Sequence, residues 1–297
     1  MAGITTTDAL ADSIPTMVQS ARIVREHTGV MTNIVDRKTL GKGMGTTWSE
    51  VDFAALSAQG VTATTDLEGN PQVLVDSTLG LKPTIVGIHV LVTDAVAEKI
   101  SGNAAQIAKS AVLSQNAIQR KKDEDGLAVY ASATDILGTA NTAISQGILA
   151  AGSVAVSGAL AEPTTDTKYI VLHPFMVHDI YTELVSTPLV ASGAEQMLAG
   201  ESASVFRQGF RGMVNGAMLF EDGNLAINGA GDATGGVHAK EGIILVQGMS
   251  PRVEPQRRPN IGGGATSLYH YDDYVWGERS TGNWVKGVIG DATEPTS

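Results

Sequence analysis

Three constellations in this 297-residue chain bring together side chains that could do chemistry. The first is Gly41-Lys42-Gly43-Met44-Gly45-Thr46-Thr47, which has the glycines and lysine of a phosphate-cradling loop. Such a loop works by opening a helix whose free amides face the anion. Here the upstream glycine is missing and a strand pattern follows, so no helix terminus is offered. The second is His173, His178 and Asp179, residue types that ligate zinc. A spacing of five on a helix puts the two rings on different faces, and a hydrogen-bonded structural histidine at a strand end is the better account. The third is His270, Asp272 and Asp273 among Tyr269, Tyr271 and Tyr274. A carboxylate pair could hold a cation or move a proton, but on a strand His270 and Asp272 share one face while Asp273 points to the other. This stretch reads as a solvated or interface-facing strand.

The dense basic patch, Arg252, Arg257 and Arg258, falls near a proline-rich loop that also carries Asn260. A phosphate contact is one use for it; ion pairs with the acidic surface of another copy suit it better. No Gly-x-Ser-x-Gly elbow, His-Glu-x-x-His pair or Ser-x-x-Lys motif occurs, and there is no cysteine to act as nucleophile, thiolate ligand or disulfide partner. No catalytic residue, cofactor or metal site is assigned, and an enzyme is not the expected reading.

The elements that would carry these residues set the wider expectation. Charged residues are 17% of the chain and glycines number 34, which points to many turns, close packing of small side chains and surface buried against other subunits. A net charge of -11 argues against a protein held to nucleic acid by clustered cations. No apolar run reaches the ~20 residues of a bilayer span, and Met1 to Leu10 lacks the features of a secretion signal, so a soluble protein made in the cytoplasm is expected.

Along the chain, Ile14, Met17, Val18, Ala21 and Val24 give an amphipathic helical arm that stops at Gly29. A long hairpin excursion follows, with strands at Thr46 to Phe53, Val61 to Thr65 and Val73 to Val75, and a return strand at Ile85 to Val92 that is apolar on both faces and should be covered. A helix of about 29 residues, ~43 Å long, is predicted from Asp94 to Lys122 on the stripe Val96, Ile100, Ala104, Ile107, Ala111 and Ile118. Asp123-Glu124-Asp125-Gly126 either stops it or lies on an exposed turn of a longer helix. Residues 140 to 161 fit helix or strand. Tyr169 to Leu172 is a buried strand that enters a helix at His173-Pro174. Short strands return over 200 to 236, including Phe210 to Phe220, and again at Ile243 to Val246. Two long strands, Gln247 to Glu254 and Ser267 to Glu278, are joined by a loop from Pro255 to Gly264, and Trp284 to Ile289 closes the chain.

This order of elements resembles the major capsid proteins of tailed bacteriophages, which share the Hong Kong 97-like (HK97-like) fold. The segments that carry the resemblance best are Lys168 to Pro174, Tyr271 to Arg279 and Gly287 to Ala292. The likeness spans nearly the whole chain and rests on order, size and the empty active-site inventory. It implies an α+β fold with an amino-terminal arm to residue 43 and an extended loop over 44–90. A peripheral domain of 91–138 and 248–278 is implied, built on the long spine helix. A mixed α/β axial domain takes 139–247 and 279–297. Its partners would be the chain itself, in hexamers and pentamers, with separate scaffold, portal and decoration proteins and double-stranded DNA enclosed without sequence-specific binding. Trp48 and Phe53 of the extended loop, with Arg252, Arg257, Arg258, Lys82 and Asn260, are the candidate inter-subunit contacts. Lys82 and Asn260 are the crude counterparts of a lysine-asparagine crosslink that some relatives form, and no crosslink is expected. An encapsulin-like shell of the same fold, a β-rich tail-tube or decoration protein, and a hydrolase with a cryptic site are the competing readings.

Overall fold

A computed structural model describes residues 26–27, 29–62, 68, 71–94, 103–186, 210–261 and 263–295. The predicted arm helix, the tip strand at 63–65 and the first part of the predicted long helix, 95–102, lie outside these residues. The chain opens with a short buried helix, α1 (Met31–Ile34), and a strand, β1 (Asp36–Thr39). A two-stranded hairpin follows, β2 (Trp48–Phe53) and β3 (Asp76–Leu81), paired antiparallel from Trp48↔Leu81 to Phe53↔Asp76. Then come β4 (Thr84–Thr93), a 29-residue helix α2 (Asn103–Ala131), β5 (Ile136–Gly138) and α3 (Gln146–Ser157). The second half runs through β6 (Lys168–Leu172), α4 (Pro174–Ser186), β7 (Phe210–Val214), β8 (Ala217–Glu221) and β9 (Asp232–Ala239). It ends with β10 (Ile243–Gln247), β11 (Arg252–Arg258), β12 (Ala265–Glu278) and β13 (Val285–Asp291).

Two sheets organise these elements. In the first, the 14-residue β12 pairs along one edge with β4, and along the other with β10 and β11 laid end to end, while β1 adds parallel to β10. The second has six strands in the order β5-β13-β9-β6-β8-β7. Its inner strand β6 shows why Lys168 to Leu172 is an unbroken apolar run: Ile170 and Leu172 pack on one face with Met176, Val177 and Ile180 of α4 and Leu149 and Val156 of α3. Tyr169 and Val171 pack on the other face with Met31 and Ile34 of α1 and Leu127 and Tyr130 of α2. A strand covered on both sides needs no polar alternation.

The ambiguous stretch 140–161 resolves as α3 because Ser145 caps it, its Oγ accepting from the Ile148 amide at 3.4 Å, and because Gly158 closes it on the Val154 carbonyl. β4 departs from expectation. It pairs with β12 instead of returning the hairpin, and Ile85 is 63% exposed and Leu91 40% exposed, so one apolar face stays uncovered within the chain. Arg252 to Arg258 also departs from it, forming a strand where a loop from Pro255 was expected. An edge position tolerates Pro255, which has no amide to offer a further strand.

The long helix runs on to Ala131, straight through Asp123-Glu124-Asp125-Gly126. Buried positions Ser114, Ile118, Lys122, Gly126 and Tyr130 recur every four residues, with Asp123 and Leu127 beside them. Gly126 is there because a side chain would stand 2.7 Å from the Trp276 ring. Lys122, Asp123 and Tyr130 are hydrogen-bonded, whereas the Ser114 hydroxyl lacks a partner among the described residues. Lys122 Nζ donates to Gln247 Oε1 at 2.6 Å and to Asp272 Oδ2 at 3.1 Å, and lies 4.9 Å from the centre of the Tyr274 ring. The Lys122 carbonyl accepts from Trp276 Nε1 at 2.9 Å. Thus His270 and Asp272, expected on a solvated or interface-facing strand, are buried within the chain beneath α2, where desolvation lowers the His270 pKa.

Removing one partner of a buried ion pair strands the other charge. Lys122→Met is expected to lower the stability of the subunit by ~3–5 kcal/mol, and Lys122→Met combined with Asp272→Leu to recover most of that loss. Urea denaturation followed by tryptophan fluorescence measures both.

Candidate assembly surfaces

Side chains that a lone copy leaves uncovered are concentrated on the hairpin. Val51, Phe53, Leu56, Val61, Val73, Leu74 and Val75 are between 49% and 75% exposed. Among the described residues the two strands form a sheet of their own with no third strand. An isolated ribbon of this size is marginal in water and needs a surface to lie on, and apolar side chains grouped in this way mark an interaction site. Trp48 stands at the base, half-buried, with its enclosed Nε1 lacking an acceptor among the described residues.

The base of the hairpin is held by Arg279, just past the end of β12. Its Nε bonds Glu50 Oε2 of β2 at 2.8 Å, and one terminal nitrogen bonds Asp36 Oδ2 of β1 at 2.8 Å and the Glu241 carbonyl at 3.2 Å. Burial would raise the Asp36 pKa, but hydrogen bonds from Arg279 and Lys38 outweigh it and hold the carboxyl below its ordinary range. One guanidinium therefore joins the hairpin, the strand after the arm and the first sheet.

The second surface is the outer face of the first sheet. Arg252 lies 5.5 Å from the centre of the Tyr271 ring and Arg258 lies 5.8 Å from that of Tyr269. The Tyr269 and Tyr271 rings are nearly parallel with centres 6.3 Å apart, and His89 of β4 stacks on Tyr269 at 4.5 Å. Arg252 is also 3.2 Å from Glu254, and Arg258 donates to the Tyr269 hydroxyl. Guanidinium groups held over aromatic faces are pre-ordered for a carboxylate partner. Arg257 differs from its neighbours. It makes a two-pronged pair with Asp94 of its own chain, which lowers the Asp94 pKa chiefly through that hydrogen bond.

Lys82 and Asn260 are both exposed, but they sit in turns at opposite ends of the ten-residue pairing of β4 with β12. At ~3.3 Å per residue they stand some thirty ångströms apart within one chain, so any bond between them would have to join two copies. His173 accepts from the Phe175 amide at 3.2 Å and His178 is exposed, which keeps the two imidazoles apart as the spacing implied. Groups of three or more metal-ligating side chains are absent among the described residues.

Sequence reading missed the buried polar ties. The signal for Lys122 and Asp123 was available, since extending the stripe from Ile118 by four and five residues places both inside. No comparable pattern marks Arg279.

No protein-family model matches the sequence, and no curated protein matches it. Solved structures do match in fold. The capsid of Ralstonia phage GP4 superimposes with a TM-score of 0.65 at 14% identity, over 99% of this chain and 100% of that one. The capsid of cyanophage P-SCSP1u gives 0.66 at 12% identity, over 97% and 96%, and a Mycobacterium phage Che8 structure gives 0.63 at 16% identity, over 91% and 94%. The expected HK97-like α+β fold is the fold observed.

If Arg279 is the joint of the hairpin, Arg279→Ala should weaken its attachment by ~1.5–3 kcal/mol, the usual worth of hydrogen bonds to charged groups. Hydrogen exchange of peptides spanning Trp48–Phe53 and Asp76–Leu81 would then quicken while peptides from β6 stay unchanged.

Proposed function

We propose that this chain is the major capsid protein of a tailed bacteriophage, a structural subunit and not an enzyme. Copies of it gather into hexamers and pentamers that close the icosahedral head around double-stranded DNA. The observation that carries this reading is the hairpin: a ribbon of exposed apolar side chains, fixed at its base by Arg279, in a fold shared over its full length with phage capsid structures. Such a ribbon is satisfied by the surface of another copy, and closed symmetric association supplies one for every subunit.

Charge supports the choice of partner surface. Residues 44–81 contain Glu50, Asp52, Asp66, Glu68 and Asp76 and no lysine or arginine. Arg252 and Arg258 stand ready on the first sheet of the neighbouring copy, with exposed Ile85 on the same face. Opposite charge sets register and encounter, and the apolar side chains supply burial. In this arrangement the peripheral domain is α2 with the first sheet, which by its pairing includes Ile243–Gln247, and the axial domain is the second sheet with α3 and α4. Scaffold, portal and decoration proteins would be separate chains. The acidic balance suits a wall that encloses DNA without holding it. The subunit would be made in the host cytoplasm and end in the virion.

Electron microscopy of the purified protein is expected to show capsomers or closed shells; a single monomeric species under every assembly condition would overturn the proposal. Arg252→Glu with Arg258→Glu should suppress assembly without unfolding the subunit, as judged by circular dichroism. Denaturing electrophoresis of assembled particles is expected to give only a monomer band, which would exclude a covalent bond between Lys82 and Asn260.

A further inference from the structure

The segment from Gly29 to Val35 carries four closely enclosed side chains. Val30, Met31, Ile34 and Val35 are at most 4% exposed. Because α1 is a single turn, few of its end groups can pair within it: the Asn33 amide donates to the Val30 carbonyl at 2.9 Å, and three others are met by buried side chains from elsewhere. The Val30 amide donates to Asp222 Oδ2 at 2.9 Å and the Met31 amide to Asp123 Oδ1 at 3.0 Å. At the far end, His238 Nε2 lies 3.3 Å from the Ile34 carbonyl, while its Nδ1 takes the Tyr130 hydroxyl at 2.7 Å. Burial lowers the His238 pKa to about 4, so the ring is neutral and donates from Nε2. Gly29 lets the backbone press on Asp123, since a side chain there would overlap that carboxyl at 2.2 Å.

Two acidic side chains thus grip adjacent amides from opposite sides, Asp123 from α2 and Asp222 from the turn after β8. Asn224 bonds both and holds them together, its side-chain amide to Asp123 Oδ2 at 3.0 Å and its backbone amide to Asp222 Oδ1 at 2.9 Å. Two carboxyls in contact in a buried site cannot both be ionised without cost. We infer that Asp123 and Asp222 form a one-proton clasp on the segment after the arm, which fastens it while the pair keeps its proton and loosens it when that proton leaves.

The surroundings favour this behaviour. Burial first, and the charge of Asp222 second, raise the Asp123 pKa from its ordinary 3.8 to about 7. The other groups around the clasp do not cancel the pair. Tyr130 on α2 is held un-ionised, pushed up by burial and by both carboxyls. Arg120, one turn earlier on α2, is engaged with Glu26 at 3.2 Å and Glu124 at 3.4 Å. His27 lies against Gly223, and His173 at the end of β6 has its pKa lowered by burial and by His27. Between pH 3.8 and about 7 the folded chain holds a proton that the unfolded chain has lost. The stabilisation is therefore complete at the acid end and disappears as pH rises through about 7.

Hydrogen exchange of the full, unassembled chain from pH 5 to 8, corrected for the intrinsic dependence of exchange on pH, tests the clasp. One-proton linkage predicts that opening of residues 29–35 rises about tenfold per pH unit up to ~7 and then levels, with β6 and β9 unaffected. Asp123→Asn, which keeps the shape and removes the charge, should flatten this profile at its low-pH level. If that variant does not fold, Asp222→Asn should move the rise to lower pH by removing the opposing charge, while burial keeps part of the shift. A profile of residues 29–35 that is flat across the range in the unaltered chain, a slope that survives Asp123→Asn, or a rise that Asp222→Asn leaves unmoved, would overturn the inference.

Discussion

The structure depends on two consecutive residues of the long helix that are buried against different sheets. Lys122 faces the first sheet and is neutralised by Asp272; Asp123 faces the second sheet and meets Asp222. Neighbouring positions on a helix are turned ~100° apart, so one turn of α2 is locked to both sheets at once. Desolvating these groups costs free energy that well-packed apolar residues would not cost. What the polar ties add is direction, since each accepts partners in one geometry only. A helix of 29 residues could slide by a turn along an apolar face; with Lys122 under Asp272 and Gly126 under Trp276, it has one register.

Much of this architecture is legible in the sequence because it follows from periodicity. The unbroken apolar run of β6, the proline opening α4 and the alternation of β12 are all local patterns with a single structural solution. The hairpin is legible as an excursion, though its return strand is not: Asp76 to Leu81 lacks the branched apolar content of Val73 to Val75, and pairing there is set by register with β2. α3 is hidden because alanine, glycine and valine fit either state, and the cap at Ser145 decides it. β11 is hidden because Pro255 argues for a loop unless the strand is already known to lie at an edge.

The candidate surfaces were legible to a lesser degree. Trp48, Phe53, Arg252 and Arg258 can be chosen from type and context, whereas the engagement of Arg257 with Asp94 joins positions 163 residues apart and leaves no local trace. The same holds for Arg279 with Glu50 and Asp36. Long-range ion pairs are products of topology, and a reading made along the chain sees each charge without its partner.

The open edge of the first sheet carries one more consequence. Among the described residues β11 pairs with β12 alone, and a chain that gathers with its own copies, as proposed above, is exposed to a wrong association, strand against identical strand, that would build ribbons without limit. Pro255 withholds an amide from the middle of that edge, and the charges of Arg252, Glu254 and Arg257 flank it. The feature that hid this strand from sequence reading is thus a safeguard of solubility, closing the unproductive route while the broad face of the sheet stays free.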